Sequence, residues 1–301
     1  MSGAAPHCPS RSNRLRLLAT TGTAWLLWVA LSAVARADTE QADIPATEEL
    51  LARAEASIAG VQDYTATVIK QERMKGREGL RPKETMQFKF ARPFRVHIRY
   101  LSPNAGREVV FASGWNDNRL KVRTGSFPDI VLNLDPRGKT AMQGNHHSVQ
   151  DIGLENAIRI TAKSVREALG RNEGSFTVSD GGIFDGRSVW RLTGTVPLAV
   201  AAKTTVRKSE TLWHVAERVG QDMYLMLYLS PKYDNPDDAR EGDEVLVPRY
   251  YGGRIEILFD KNSQLPLSVS VWDWQGNLYE TFSYSGLKLN VGLTDRDFAV
   301  R

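Results

Sequence analysis

From Tyr64 onward apolar residues fall at every second position, and this period constrains the chain more than any other feature. Tyr64, Ala66 and Val68 alternate with Thr65, Thr67 and Ile69. Met86, Phe88 and Phe90 enclose Gln87 and Lys89, and Phe94, Val96, Ile98 and Tyr100 enclose Arg95, His97 and Arg99. One apolar set and one polar set at period two predict an antiparallel sheet with one face buried and one wet. His97, opposite Val96 and Ile98, is then expected on the open face. Strand patterns continue at 108–113, 119–123, 175–179 and 187–195, and resume at 254–259, 267–274 and 278–284. Two stretches change to helical spacing. At 46–59, Leu50, Leu51, Ala54 and Ile58 share a face and Gly60 follows. At 154–169, Leu154, Ile158, Thr161, Val165 and Leu169 line one side. Thr294 and Asp297 have capping-box spacing for a closing turn.

Between 195 and 254 the pattern is different. Residues 203–248 read as a strand (204–207), two short helices and a second strand (244–247). Ser209, Glu210 and Thr211 announce the first helix, in which Leu212, Val215, Ala216 and Val219 form an apolar stripe ended by Gly220. The second helix, 222–229, stops at Ser230-Pro231, and Pro248 closes the unit. This order resembles the LysM domain, a βααβ module whose members commonly bind N-acetylglucosamine-containing glycans, above all peptidoglycan. It departs from the family's usual residues at Ser209, Ser230, Ala239 and Glu241. The resemblance implies a sugar site between Ser209, Glu210, Thr211 and Leu212 on one side and Leu229, Ser230, Pro231 and Lys232 on the other. Strands of one style flank the unit, so it reads as an insertion at 203–250 into a single host domain, 38–202 plus 251–301.

The host has its own resemblance. An N-terminal helix, the Tyr64-x-Ala66-x-Val68 first strand, paired strands around Arg92-Pro93 and the 284–298 ending resemble the LolA/LppX superfamily of periplasmic half-barrels that shelter lipid or lipoprotein acyl chains. Residues 106–111, 116–120 and 134–138 are similar to runs in a bacterial branch of unknown function. The expected fold is therefore α+β: a curved antiparallel half-barrel sheet wrapped around helices, with an inserted βααβ module.

Residues 1–37 read as an export signal. Arg11, Arg14 and Arg16 precede an apolar run from 17 to 34, and Ala35-Arg36-Ala37 offers a cleavage site. The run is also long enough to span a bilayer, but its small-residue end favours cleavage after Ala37 and a periplasmic product. Cys8, before the apolar run, is the only cysteine, so the exported chain has no disulfide or thiolate metal site. The signal carries four arginines and no acid, so the formal charge of +4 falls to zero on cleavage. The basic isoelectric point therefore gives no reason to expect a nucleic-acid partner.

No nucleophile elbow, phosphate loop or dinucleotide fingerprint is present, and no catalytic residues are assigned. The adjacent His146 and His147 lack metal-ligand spacing and are expected in a solvated loop, so no metal or cofactor is assigned. Trp272 and Trp274, two apart on a strand, are the candidate wall of an apolar-ligand cavity, with core packing as the alternative. Two functions compete. The first is an envelope binding protein whose insert recognises peptidoglycan while the host contacts lipid or a partner. The second is a lipid or lipoprotein carrier in which the insert is a lid or docking element. An apolar cavity of several hundred Å³ behind the sheet would favour the carrier.

Overall fold

The computed structural model describes residues 43–300 apart from 77 and 199, so the export signal expected at 1–37 lies outside the described residues. Among the described residues no helix is long and apolar enough to cross a membrane. The chain begins with α1 (Thr47–Ala59), then β1 (Asp63–Glu72), β2 (Glu84–Ala91), β3 (Arg95–Ser102), β4 (Glu108–Ala112), β5 (Leu120–Arg123) and β6 (Val131–Leu134). One helical turn, α2 (Lys139–Met142), precedes the long α3 (Leu154–Gly170). The hairpin β7 (Ser175–Phe184) and β8 (Arg187–Thr195) follows. Next come β9 (Val200–Thr205), α4 (Leu212–Val219), α5 (Met223–Leu229) and β10 (Glu244–Pro248). The end is β11 (Arg254–Asp260), β12 (Pro266–Trp272), β13 (Leu278–Leu289) and a 3-10 turn, Asp295–Phe298.

Eleven strands form one open, curved antiparallel sheet in the order β6-β5-β4-β3-β2-β1-β13-β12-β11-β8-β7. The first and last strands are thus neighbours in its middle, with Val68 opposite Tyr284. The period of two decides which side chains meet: Tyr64, Phe88 and Phe90 fall on one face, and the Tyr64 ring lies 5.8 and 5.1 Å from the two phenyl rings. That face carries both helices, through Leu50, Leu51 and Ala54 of α1 and Leu154, Ile158 and Val165 of α3. The stripe on α3 continues at Ala168, three residues after Val165, and Leu169 is left exposed, contrary to the helical pattern drawn from sequence. Tyr64 Oη accepts the Leu154 N–H at 3.1 Å, which ties the start of α3 to β1. Gly153 is needed there: its φ is +102°, and a Cβ would stand 2.9 Å from Tyr64 Oη. Arg166 then clamps α3 to α1 through Glu48 and Glu55, at 2.7 Å each.

The opposite face is not open at His97. The closing 3-10 turn, capped by Thr294 and Asp297 as its spacing predicts, lays Phe298 against Ala91 and Val110. His97 is buried beneath it, its Nδ1 2.9 Å from the Asp297 carbonyl. An apolar residue near the chain end needs burial, and the outer face of β3 and β4 supplies it.

β9 and β10 pair only with each other and, with α4 and α5, make a βααβ unit lying between β8 and β11, which are neighbours in the large sheet. Its interior gathers Leu212, Val215, Met223, Met226, Tyr233 and Val245. Thr211 and His214 cap α4 reciprocally, and Gly220 ends it at φ +66°. The unit is bolted to the sheet. Lys75 donates to the Ser230 and Tyr233 carbonyls, Tyr228 donates to Asp273 at 2.9 Å, and Arg249 pairs with Glu173 at 2.7 Å. Trp213 lies between the Tyr224 ring and the Arg137 guanidinium, 4.9 Å from its ring centre.

Candidate functional site: an apolar cavity with a charged end

A cavity of about 350 Å³ separates the helix-bearing face of the sheet from α3. Val68, Phe88 and Ile98 line it from one half of the sheet, and Ile257, Val269 and Phe282 from the other. Ala157, Ile160 and Ser164 of α3 face it at helical spacing, and two of the three are too short to reach across. Gly194 in β8 makes room for another wall residue, because a Cβ there would lie 2.3 Å from the ring of Phe176. A second space of about 430 Å³, between α2 and α5, is bordered by Lys75, Arg137, Lys139, Asp234 and Asp237. The aliphatic and aromatic wall that the sheet and α3 give the first cavity makes it the candidate for an apolar ligand.

At one end the buried parity of three adjacent strands runs into charge. After Ala66 and Val68, β1 continues with Lys70 and Glu72; before Met86, β2 has Glu84; before Phe282, β13 has Glu280. The register sets Lys70 opposite Glu84 and Glu72 opposite Glu280. Two facing carboxylates repel unless cations intervene. Lys70 Nζ lies 3.2 Å from Glu72 Oε2 and 3.0 Å from Glu84 Oε2, and it donates to Asn145 Oδ1 at 2.6 Å. Burial opposes the Lys70 cation, but Glu72, Tyr100 and Glu84 outweigh it and raise its pKa.

Glu280, 3% exposed, is met by histidines. His146 Nδ1 and His147 Nε2 lie 3.0 and 3.1 Å from its Oε2, and Tyr251 donates to its Oε1 at 2.8 Å. The other nitrogen of His146 is 2.8 Å from the Arg73 carbonyl, and Tyr279 stacks on its ring at 4.2 Å. Burial pushes the Glu280 carboxyl up, yet the His147 charge and the bonds from both histidines hold it well below the usual carboxylate range. For His147 burial disfavours the cation, and Glu280 more than compensates, lifting it to about 9. Glu72, His146 and Glu280 also offer one ligand atom each within 4.8 Å of one another, a grouping with the size and donor set for a divalent ion. In this arrangement Lys70 and His147 supply the positive charge.

The sequence expectation for His146 and His147 is corrected here: both are buried, because Glu280, distant in sequence, draws the loop under the sheet. The tryptophans are also corrected. Val269 and Val271 take the cavity side of β12, so Trp272 points to the other face, where the Arg254 guanidinium lies 4.2 Å over its ring. Trp274 falls beyond the end of the strand and does not line the cavity, and its Nε1 is buried without a partner among the described residues.

In the βααβ unit Leu212 is fully buried and Thr211 caps α4. Ser209 holds a left-handed φ of +62°, and Glu210 turns to Arg218 at 2.9 Å. Across the unit Leu229 ends α5, Pro231 is exposed, Lys232 pairs with Asp243, and the Ser230 carbonyl accepts from Lys75 of the host. The two loops are therefore held by different partners, and the carbonyl of Ser230, one of the residues of the implied sugar site, holds the unit to the sheet.

A family model described as "Protein of unknown function (DUF1571)" matches residues 61–251, a span that takes in the βααβ unit. No curated protein matches the chain. Among solved structures, it is similar to Mycobacterium tuberculosis lipoprotein LppX at 11% identity over 83% of this chain and 99% of that one, with TM-score 0.39. A putative outer membrane lipoprotein-sorting protein domain from Vibrio parahaemolyticus is 14% identical over 82% and 95%, TM-score 0.33. A chain in the Pseudomonas aeruginosa MucA/MucB complex is 11% identical over 84% of this chain, TM-score 0.40; this chain spans only 60% of it.

Proposed function

The chain belongs to the DUF1571 family, whose description assigns no activity, and we propose that it is an exported envelope protein that carries an acyl chain of a lipid or lipoprotein between its sheet and α3. The βααβ unit is its docking element or lid, and the role is binding, with no catalytic step. The cavity carries this reading. Its walls are mostly apolar, and covering apolar surface that water would otherwise touch stabilises by about 25 cal/mol per Å², which an acyl chain in the space would gain. Short side chains on α3 keep the space open where longer ones would fill it. The test is mass spectrometry of the chain purified without detergent. Co-purified acyl lipid is expected; its repeated absence, together with failure to bind the neutral dye N-phenylnaphthylamine, would refute the carrier.

The strand-helix-helix-strand order of the unit supports a second reading, peptidoglycan recognition by Ser209, Glu210, Thr211, Leu212, Leu229, Ser230, Pro231 and Lys232. Sedimentation with purified sacculi tests it independently. A chain that stays in the supernatant while a known LysM protein pellets leaves the unit with the docking role alone.

A further inference from the structure

Glu72 and Glu280 stand opposite each other on β1 and β13, and both are buried. A buried carboxylate needs hydrogen bonds or a cation. Glu280 has its share, with Tyr251 donating to Oε1 at 2.8 Å. Glu72 is less well served: its Oε2 is buried and accepts no hydrogen bond among the described residues. Lys70 Nζ stands 3.2 Å from that oxygen, but it is shared with Glu84 and donates to Asn145. His147 pairs with Glu280, so neither basic side chain bridges the two acids.

His146, 4% exposed, completes the group. Its Nε2 lies 2.8 Å from the Arg73 carbonyl, which can only accept, so the ring's hydrogen is on Nε2. That leaves Nδ1 as the nitrogen to hold an ion, and a carbonyl behind the far N–H is how ligating histidines are usually oriented. Around a tetrahedral ion with bonds of about 2.0–2.1 Å, ligand atoms stand about 3.3 Å apart. His146 Nδ1 and Glu280 Oε2, at 3.0 Å, already have that spacing. Glu72 offers the third atom, and all three lie within 4.8 Å of one another.

We propose that Glu72, His146 Nδ1 and Glu280 bind a divalent transition ion of the zinc class. The imidazole argues against calcium and magnesium, which take oxygen donors. Such an ion joins β1, β13 and the loop after α2 at the point where the register sets two like charges opposite each other. It has a way in, because Glu72 and Glu280 line the apolar cavity and His146 borders the second space. Its role is that of a staple for the charged end of the strands, and it stands whether or not an acyl chain fills the cavity.

The experiment is zinc titration of the tag-free full chain after dialysis against a chelator. One ion per chain should bind, and neither magnesium nor calcium should displace it. His146→Gln should weaken zinc binding at least about 100-fold, since losing only the hydrogen bonds that support a ligand already costs about 10–100-fold. His214→Gln, exposed on α4, should bind as the wild type does. No zinc on the wild type, displacement by calcium or magnesium, or undiminished binding in His146→Gln overturns the site. Should His146→Gln not fold, X-ray absorption at the zinc edge of the loaded wild-type chain decides. A single imidazole among oxygen donors supports the assignment; none, or more than one, overturns it.

Discussion

The βααβ unit and the large sheet bury apolar residues to opposite ends. In the unit, Leu212, Val215, Met226 and Val247 come from both helices and β10 and close on one another across a two-stranded ribbon. In the host, Val68, Phe88, Val269 and Phe282 face a helix whose nearest residues include alanine and serine, and the two sides do not meet. The smaller body has the simpler interior because it has no apolar area to spare. The larger one owns enough contact around α1 and the rest of α3 to leave a gap. Space in the host is therefore a property of which residues stand on α3, and that can be changed one side chain at a time.

The sharpest way to break this contrast is at the charged end of the gap. Replacing Glu280→Gln leaves the buried His147 without its counter-ion, and about 3–5 kcal/mol of stability should be lost in urea unfolding. A loss under about 1 kcal/mol would mean that the cluster is solvated, as surface pairs are. In the filled interior, Leu212→Ala should cost about 2–5 kcal/mol; a smaller effect would show that the unit is loosely packed too. Acidity separates the regions next. The folded pKa of His147 lies near 9, above its unfolded value of about 6.5. Its contribution is thus complete below about pH 6.5 and disappears as pH rises through 9, a fall of about 3 kcal/mol in unfolding free energy. In the Glu280→Gln background the same scan should be nearly flat over that window. Between the two bodies, Lys75→Met removes the donor to the Ser230 and Tyr233 carbonyls. A cost of about 1–3 kcal/mol is expected, with hydrogen exchange rising first at α5; unchanged exchange there would show that other contacts dock the unit. The smallest stability effect is the most telling. Ala157→Leu puts bulk into the gap and should shift stability by no more than about 1 kcal/mol, yet weaken dye binding at least tenfold. Unaltered dye binding would place the ligand elsewhere.

Sheet, helices and insert were legible because each has a period that sequence displays. Met86, Phe88 and Phe90 alternate, Leu154, Ile158 and Val165 do not, and the stretch from 203 to 248 switches from one habit to the other and back. The charged end was legible in principle as well: Lys70, Glu72, Glu84 and Glu280 all continue the buried set of their strands, a place where charge is costly without a partner. What sequence could not supply was the partner. His146 and His147 meet Glu280 only because a loop after α2 passes beneath β13, and no local pattern encodes that. Trp272 was misread for a related reason. Bulk alone suggested a cavity wall, but parity had already given that side to Val269 and Val271, and the larger ring went out to Arg254.

The placement of β13 beside β1 bears on how the chain comes into being. The long edge of β1 that will receive Tyr284 has no mate until the segment ending at Leu289 has been made. A chain made from its N-terminus therefore holds a bare hydrogen-bonding edge for most of its synthesis, which is an invitation to mispairing. Contacts so far apart in sequence also make for slow folding. This seam is the last to be sewn, and until it closes the middle of the sheet is two halves with nothing between them to hold them together.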